Sequence, residues 1–274
     1  MTLAISWIRK ISDGSEELIF ASDSRLSGGR NLDCCPKILT LARSDSAMAF
    51  AGDTDFSFPL IHQLKLAIES HQPSLDRAMD LHKMKAHALK VFNSMSDSVQ
   101  SYVEVLENPD TSFLLGGYSW VNKEFAIWKI HYKEKEKRFA CRPAKTWIED
   151  FGKIAFIGDR AKDAQNNLIK LLKEKYGLTT ENGASKKGFD MEPFEVLRNM
   201  LRKADPNDSI GGAPQLVKVY QHMNCRSVGV YWPNKSSKNV YLLGRPLFDY
   251  ENTDNWIMDP DKLITSHPRF SKNT

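Results

Sequence analysis

Several features that would quickly assign a protein are scarce in this sequence. It has four cysteines in 274 residues, namely Cys34, Cys35, Cys141 and Cys225. None makes a CxxC pair, and the adjacent Cys34 and Cys35 are awkwardly placed for a bridge. This argues against a disulfide framework and for free thiols in a reducing compartment. No apolar run approaches the roughly eighteen residues of a membrane span, and no basic-then-apolar leader is visible, so a cytoplasmic protein without a membrane partner is expected. Neither sign of charge dominates: 38 Lys and Arg against 34 Asp and Glu leave a net +4. Nucleic-acid binding needs basic residues gathered on one face, and the run HYKEKEKRF is mixed in sign, as in a solvated hairpin tip. The seven histidines show no metal-ligand spacing. No metal or other cofactor is expected, and no internal repeat is visible.

What remains is an ordinary soluble composition, 41% hydrophobic and 26% charged, long enough for one large core or two small ones. Apolar-rich strands are expected at 2–8 and 17–22, flanking the turn SDGS as a hairpin. KILTLA from Lys37 and AMAFAG from Ala47 follow as short strands. FSFPLIHQLKLAIESHQ reads as a helix: Pro59 suits its first turn, and Leu60, Ile61, Leu64, Ala67 and Ile68 share one face. A second helix is expected from Ser74, carrying Leu81, Leu89 and Phe92 inward.

After Pro109 the pattern returns to strands in TSFLLGGYSW, EFAIWKIHY and KIAFIGD. Helices are expected at about 160–176, stopped by Gly177, and at 192–204, with the polar TTENGASKKG between them as a loop. QLVKVYQ and SVGVYW close the series as strands. Hairpin-linked strands with helices grouped between them point to an α+β fold, and a four-layer αββα sandwich fits the order. The domain would span 1–235, with 236–274 as a C-terminal extension.

The chemistry centres on Thr2. An initiator Met before a small residue is a good substrate for removal, which would leave Thr2 with a free amine and a hydroxyl on adjoining carbons. Such a residue is a nucleophile that supplies its own base. The amine's reference pKa of about 8 leaves it partly neutral at cellular pH, and a nearby ammonium lowers it further by like-charge repulsion. A buried lysine held by a carboxylate would supply that ammonium. Asp23, in ASDSR, and Lys37, in PKILTL, stand at the edges of early strands.

The run TLAIS…FASDSR…PKILTL…MAFAGDTD resembles the N-terminal half of proteasome-type β subunits, which are N-terminal-nucleophile hydrolases. It is most similar to their bacterial relatives, the double-ring heat-shock protease and Anbu. The resemblance is strongest over residues 1–70 and collinear to about 232. It implies Thr2 as nucleophile, Asp23 and Lys37 as its charge pair, and the Gly52 N–H as oxyanion donor. Strand phase agrees with this register, since Ala4 and Ser6 share the face of Thr2 while Leu3, Ile5 and Trp7 point the other way.

Departures from the family pattern are Asp53 where a second glycine is usual and Asp159, in IGDRA, where a serine is usual. For the later Asp-x-x-Ser pair the nearest match is DPNDSIGGAPQ, with Asp208 and Ser209 as counterparts. Cys35 falls where relatives line a substrate pocket, and with Leu26, Leu39, Phe50 and Thr54 it would make a modest apolar pocket. Each of these five is equally an ordinary core residue. Asp23 and Lys37 equally suit a structural ion pair, and Gly52 a tight bend.

The resemblance implies a threonine-type endopeptidase acting on peptide or protein substrates. It also implies a homo-oligomer in a ring or spiral, and is compatible with a partner ATP-dependent unfoldase. A catalytically silent assembly subunit, or an amidohydrolase acting on a small amide, stays open on the same framework.

Overall fold

A computed structural model of the chain describes residues 2–11, 13–28, 30–98, 110–147, 151–177 and 188–268. The first hairpin pairs β1 (Ala4–Lys10) with β2 (Glu16–Ser22) across a turn in which Gly14 takes φ +84°. Two short strands, β3 (Leu26–Ser27) and β4 (Asn31–Leu32), make a separate ribbon. Next come β5 (Ile38–Thr40) and β6 (Ser46–Gly52), then the helix α1 (Thr54–Glu69). Asp53 caps α1, its carboxylate accepting from the Asp55 N–H at 2.9 Å, which satisfies a donor left orphaned by the first turn.

The helix expected from Ser74 needs correction. Ser74 belongs to a single turn, α2 (Gln72–Leu75), and the long helix α3 (Leu81–Asp97) starts six residues later than that turn ends. The reason is local: Arg77 takes a left-handed φ of +70°, and Asp80 supplies the N-cap by accepting from the His82 N–H at 3.1 Å. Leu81 and Phe92 are buried as expected, whereas Leu89 is only partly so.

The remaining strands and helices follow in chain order. They are β7 (Thr111–Ser119), β8 (Glu124–Lys133), β9 (Arg138–Pro143), β10 (Thr146–Trp147), β11 (Gly152–Ile157), α4 (Ala161–Tyr176), α5 (Glu192–Lys203), β12 (Gln215–Tyr220) and β13 (Cys225–Tyr231). Four short strands end the series: β14 (Val240–Leu242), β15 (Arg245–Pro246), β16 (Ile257–Asp259) and β17 (Ile264–Ser266). Gly177 ends α4 in the left-handed conformation, as its missing Cβ allows. HYKEKEKRF spans the end of β8, an exposed turn at 134–137 and the start of β9, where Phe139 is buried. TTENGASKKG, except its final glycine, lies outside the described residues.

The chain is a mixed α and β structure with two main sheets. The larger runs β10-β11-β1-β2-β12-β13-β14-β15, with β16 parallel to β13 and β17 paired to β16. The smaller runs β5-β6-β7-β8-β9, with its neighbours antiparallel.

Three groups of buried side chains hold these parts together. One joins Leu3, Ile5 and Trp7 of the β1 region to α4 and α5 through Leu168, Leu172, Phe194 and Leu197. A second joins Phe50, Phe113 and Ile130 of the small sheet to Leu64, Met84 and Phe92 on α1 and α3. The third draws on both sheets, with Ala4, Phe20 and Val217 from the larger and Ile38, Ala49 and Leu114 from the smaller. The period-2 alternation of β1 therefore sends odd residues under α4 and α5 and even ones toward the small sheet.

Candidate active site

Thr2 stands just before β1, and its position is set by the start of β2's downstream turn. The Leu3 N–H donates to Asp23 Oδ1 at 3.0 Å, while the Leu3 carbonyl accepts from the Asp23 N–H at 3.2 Å and from Ser22 Oγ at 3.1 Å. On the other side the turn after β11 presses close. Gly158, at φ +99°, lies so near that a Cβ there would stand 1.9 Å from the Thr2 carbonyl oxygen. No side chain fits between these two backbones.

Lys37 reaches this point from the small sheet's edge, one residue before β5. Its Nζ donates to Thr2 Oγ1 at 2.8 Å and to Asp23 Oδ1 and Oδ2 at 2.9 and 3.0 Å. Thr2, Asp23 and Lys37 are each 0% exposed. The Asp23 carboxylate also accepts from two further backbone donors, the Arg25 N–H at 3.0 Å and the Gly211 N–H at 3.2 Å. Counting Leu3, three N–H groups and one ammonium surround it, which is the environment a buried carboxylate requires.

Burial pushes both members of the pair toward their neutral forms. It raises Asp23 against the lowering pull of Lys37 and the surrounding donors. It lowers Lys37 below the ordinary lysine value, against the raising pull of Asp23 and a smaller contribution from Asp159. The ammonium therefore sits on the Thr2 hydroxyl while holding its proton less tightly than a solvated lysine.

Gly52 closes β6 at φ +105°, where a Cβ would stand 1.9 Å from the Asp110 carbonyl oxygen. Ladder parity gives its orientation. Asp53 N–H donates to Asp110 O and Tyr118 N–H to Asp45 O, so odd residues of β6 bond toward β7. Even residues bond toward β5, as Phe50 N–H does to Lys37 O at 3.1 Å. Gly52 is the next even residue, and alternation aims its N–H past the end of β5, on the Lys37 side.

The other expected site residues are distributed as follows. Cys35 is buried two residues before Lys37, and burial pushes its thiol up to about 11. Phe50 is fully buried in the core beneath α1, edge-on to Phe58 with ring centroids 5.1 Å apart, and Leu39 packs on the same core. Thr54 opens α1 and Leu26 lies on β3, both partly buried.

Asp208 and Ser209 lie between α5 and β12. The Asp208 carboxylate accepts from Arg160 at 3.1 Å and from the Asp205 N–H at 3.0 Å, and its carbonyl accepts from Arg25 at 3.0 Å. Ser209 lines a surface groove of about 340 Å³ with Ser27, Arg30 and Asn31. This segment reaches the charge pair through Arg25 and the Gly211 N–H, not through a bond from Asp208 to Asp23 or Lys37 among the described contacts. Asp159 is exposed at the turn before α4.

Two contributors had gone unnoticed at the level of sequence, Gly158 and Gln215. The second left a trace: it is a polar residue heading an apolar strand, QLVKV. Among the described residues no group of three or more His, Cys, Asp or Glu could hold a metal ion, and no helix is long and apolar enough to cross a membrane. No family model matches the chain, and no curated protein matches its sequence.

Proposed function

We propose that this chain is a threonine-type peptidase of the proteasome β-subunit class, an N-terminal-nucleophile hydrolase with a four-layer αββα sandwich. One observation carries the reading: a fully buried Lys37 ammonium bridges the Thr2 hydroxyl and the Asp23 carboxylate. A structural ion pair would need no hydroxyl at its third corner. The layer reading is supported by the three groups of buried side chains, which alternate helices, sheet, sheet and helices.

The mechanism requires that the chain be cut immediately before Thr2, which frees the α-amine. The amine takes the proton from Oγ1 as that oxygen attacks a peptide carbonyl carbon. The Lys37 ammonium stabilises the developing negative charge on Oγ1 and holds the amine's pKa down, so that the amine is neutral and able to accept. The Gly52 N–H donates to the tetrahedral oxyanion, a contribution worth about a hundredfold or more in rate. Collapse expels the amine leaving group, protonated by the Thr2 ammonium, and leaves an ester on Oγ1. Water then attacks the ester with the α-amine as base, releasing the acid product and restoring Thr2.

A homo-oligomer in a ring or spiral follows from the class, and a partner unfoldase is compatible with it. A second reading, a catalytically silent assembly subunit, is favoured by the engagement of Asp208 with Arg160 and Asp205 rather than with the charge pair. An electrophilic threonine-protease probe on native protein, with the labelled residue mapped and the intact mass measured, separates the two. The peptidase reading expects label on the amine-bearing Thr2 and a loss of peptide turnover of at least about a thousandfold in Thr2→Ala. Turnover unchanged in Thr2→Ala, or a Thr2 still acylated by a preceding residue in native protein, overturns it.

A further inference from the structure

Gln215 heads β12 in the larger sheet, opposite Ser22 of β2, and is 0% exposed. Its side chain crosses to the smaller sheet. Oε1 accepts from the Lys37 N–H at 2.9 Å and from the Ile38 N–H at 3.3 Å. Nε2 donates to the Cys35 carbonyl at 2.7 Å, the Asp23 carbonyl at 3.1 Å and Ser24 Oγ at 3.2 Å. One primary amide thus touches the backbone of both members of the charge pair and of the residues flanking them. The amide's orientation follows from these partners, because reversal would set its NH₂ against two N–H donors and its oxygen against two carbonyls.

We infer that Gln215 is a positioning residue for the proposed reaction, clamping the Lys37 backbone to the Asp23 turn so that Nζ is held within hydrogen-bond reach of Thr2 Oγ1. The clamp is needed because the two carboxylate-lysine partners arrive on different sheets. Asp23 follows β2 of the larger one and Lys37 precedes β5 of the smaller. Hydrogen bonds that cross between the two sheets fix their relative placement at this point more sharply than apolar packing alone. The neighbourhood is fastened further by Ser24 Oγ donating to the Ala213 carbonyl and by Cys35 N–H donating to the Ser24 carbonyl. Gly244, on the β14–β15 turn, closes against Ser24 and Cys35 so tightly that a Cβ there would stand 2.6 Å from Ser24 Oγ.

Gln215 touches neither the nucleophile nor a scissile bond, so its removal acts through Lys37. The inference rests on the peptidase reading for its kinetic consequence but not for its geometry. The test therefore takes two readouts on Gln215→Ala. In labelling by the electrophilic threonine-protease probe, the maximal inactivation rate should fall about a hundredfold with the probe's half-saturation concentration unchanged. In a crystal structure of the variant, Lys37 Nζ should lie outside hydrogen-bond distance of Thr2 Oγ1.

Where Gln215→Ala does not fold, Gln215→Glu takes its place. It keeps the volume and the acceptor for Lys37 and Ile38, loses the donors to Cys35, Asp23 and Ser24 when ionised, and should show the same changes. Lys37 unmoved, or a loss confined to half-saturation or to the fraction of folded protein, overturns the positioning role. A wild-type protein that takes no label overturns the peptidase reading instead, and the Lys37 position in the variant still decides the role of Gln215.

Discussion

At the scale of the residue, Lys37 is where charge and burial meet. Removing its ammonium leaves Asp23 fully buried with three backbone N–H donors and no cation in contact. Breaking a buried pair from one side costs about 3–5 kcal/mol, so Lys37→Met should lower unfolding free energy by that order in denaturant titration at pH 8. The deficit should shrink as pH falls. Burial already raises Asp23 above its reference value of 3.8 with Lys37 present, and without the lysine its charged form is less favoured still. A raised carboxylate pKa favours the fold below the unfolded value, and that contribution is lost as pH rises through the folded one.

Under the proposed peptidase mechanism, the same lysine predicts the alkaline side of the activity profile. Burial lowers its pKa below the ordinary lysine value of 10.5. Peptide turnover should rise as the Thr2 amine loses its proton and fall again as Lys37 loses its own, at a pH below 10.5. A profile flat up to that pH would remove Lys37 ammonium from the mechanism.

At the scale of the element, the site depends on two strand ends that tolerate no side chain. The β11–α4 turn places Gly158 against the Thr2 carbonyl at φ +99°. Gly158→Ala adds a left-handed strain of about 1–3 kcal/mol together with a backbone clash, so the chain must shift at Thr2 to accommodate it. The expected outcome is a folded but less stable protein with labelling of Thr2 reduced by an order of magnitude or more. Circular dichroism melting and probe labelling on the same sample check both halves. Asp80 shows the complementary lesson, that a cap can override an expected helix start. The run from Ser74 has helical periodicity, yet the helix waits for a carboxylate that can accept from its first turn.

At the scale of the whole molecule, the C-terminal segment is part of the larger sheet. β14 pairs with β13, β16 runs parallel to β13, and Ile257 and Met258 are buried, the latter in the core under α4 and α5. Deleting residues 236–274 exposes the β13 edge and empties two core positions. At about 2 kcal/mol or more for each buried side chain, the loss should reach at least about 4 kcal/mol. The truncated protein is expected to melt lower or to aggregate through the bared strand, and a melting temperature unchanged by the deletion would contradict that burial.

Local pattern alone determined most of the element list: the first hairpin, the stop of α4 at Gly177 and the alternating faces of β1 all follow from neighbours in the chain, where periodicity, caps and turn residues act over a few positions. The helix α1 was legible as a helix but not in its start: it begins at Thr54, two residues before the expected Phe56, because Asp53 caps it, and Pro59 stands inside it rather than in its first turn. Asp23 and Lys37 were visible as residue types at strand edges for the same reason, Thr2 by its place behind the initiator Met, and Gly52 only through the resemblance. The meeting of Lys37 with Thr2 and Asp23, the Gly158 contact and the Gln215 bridge were decided only in three dimensions. They join residues 14 to 192 positions apart, and no local preference encodes which buried donor will face which acceptor once two sheets pack together.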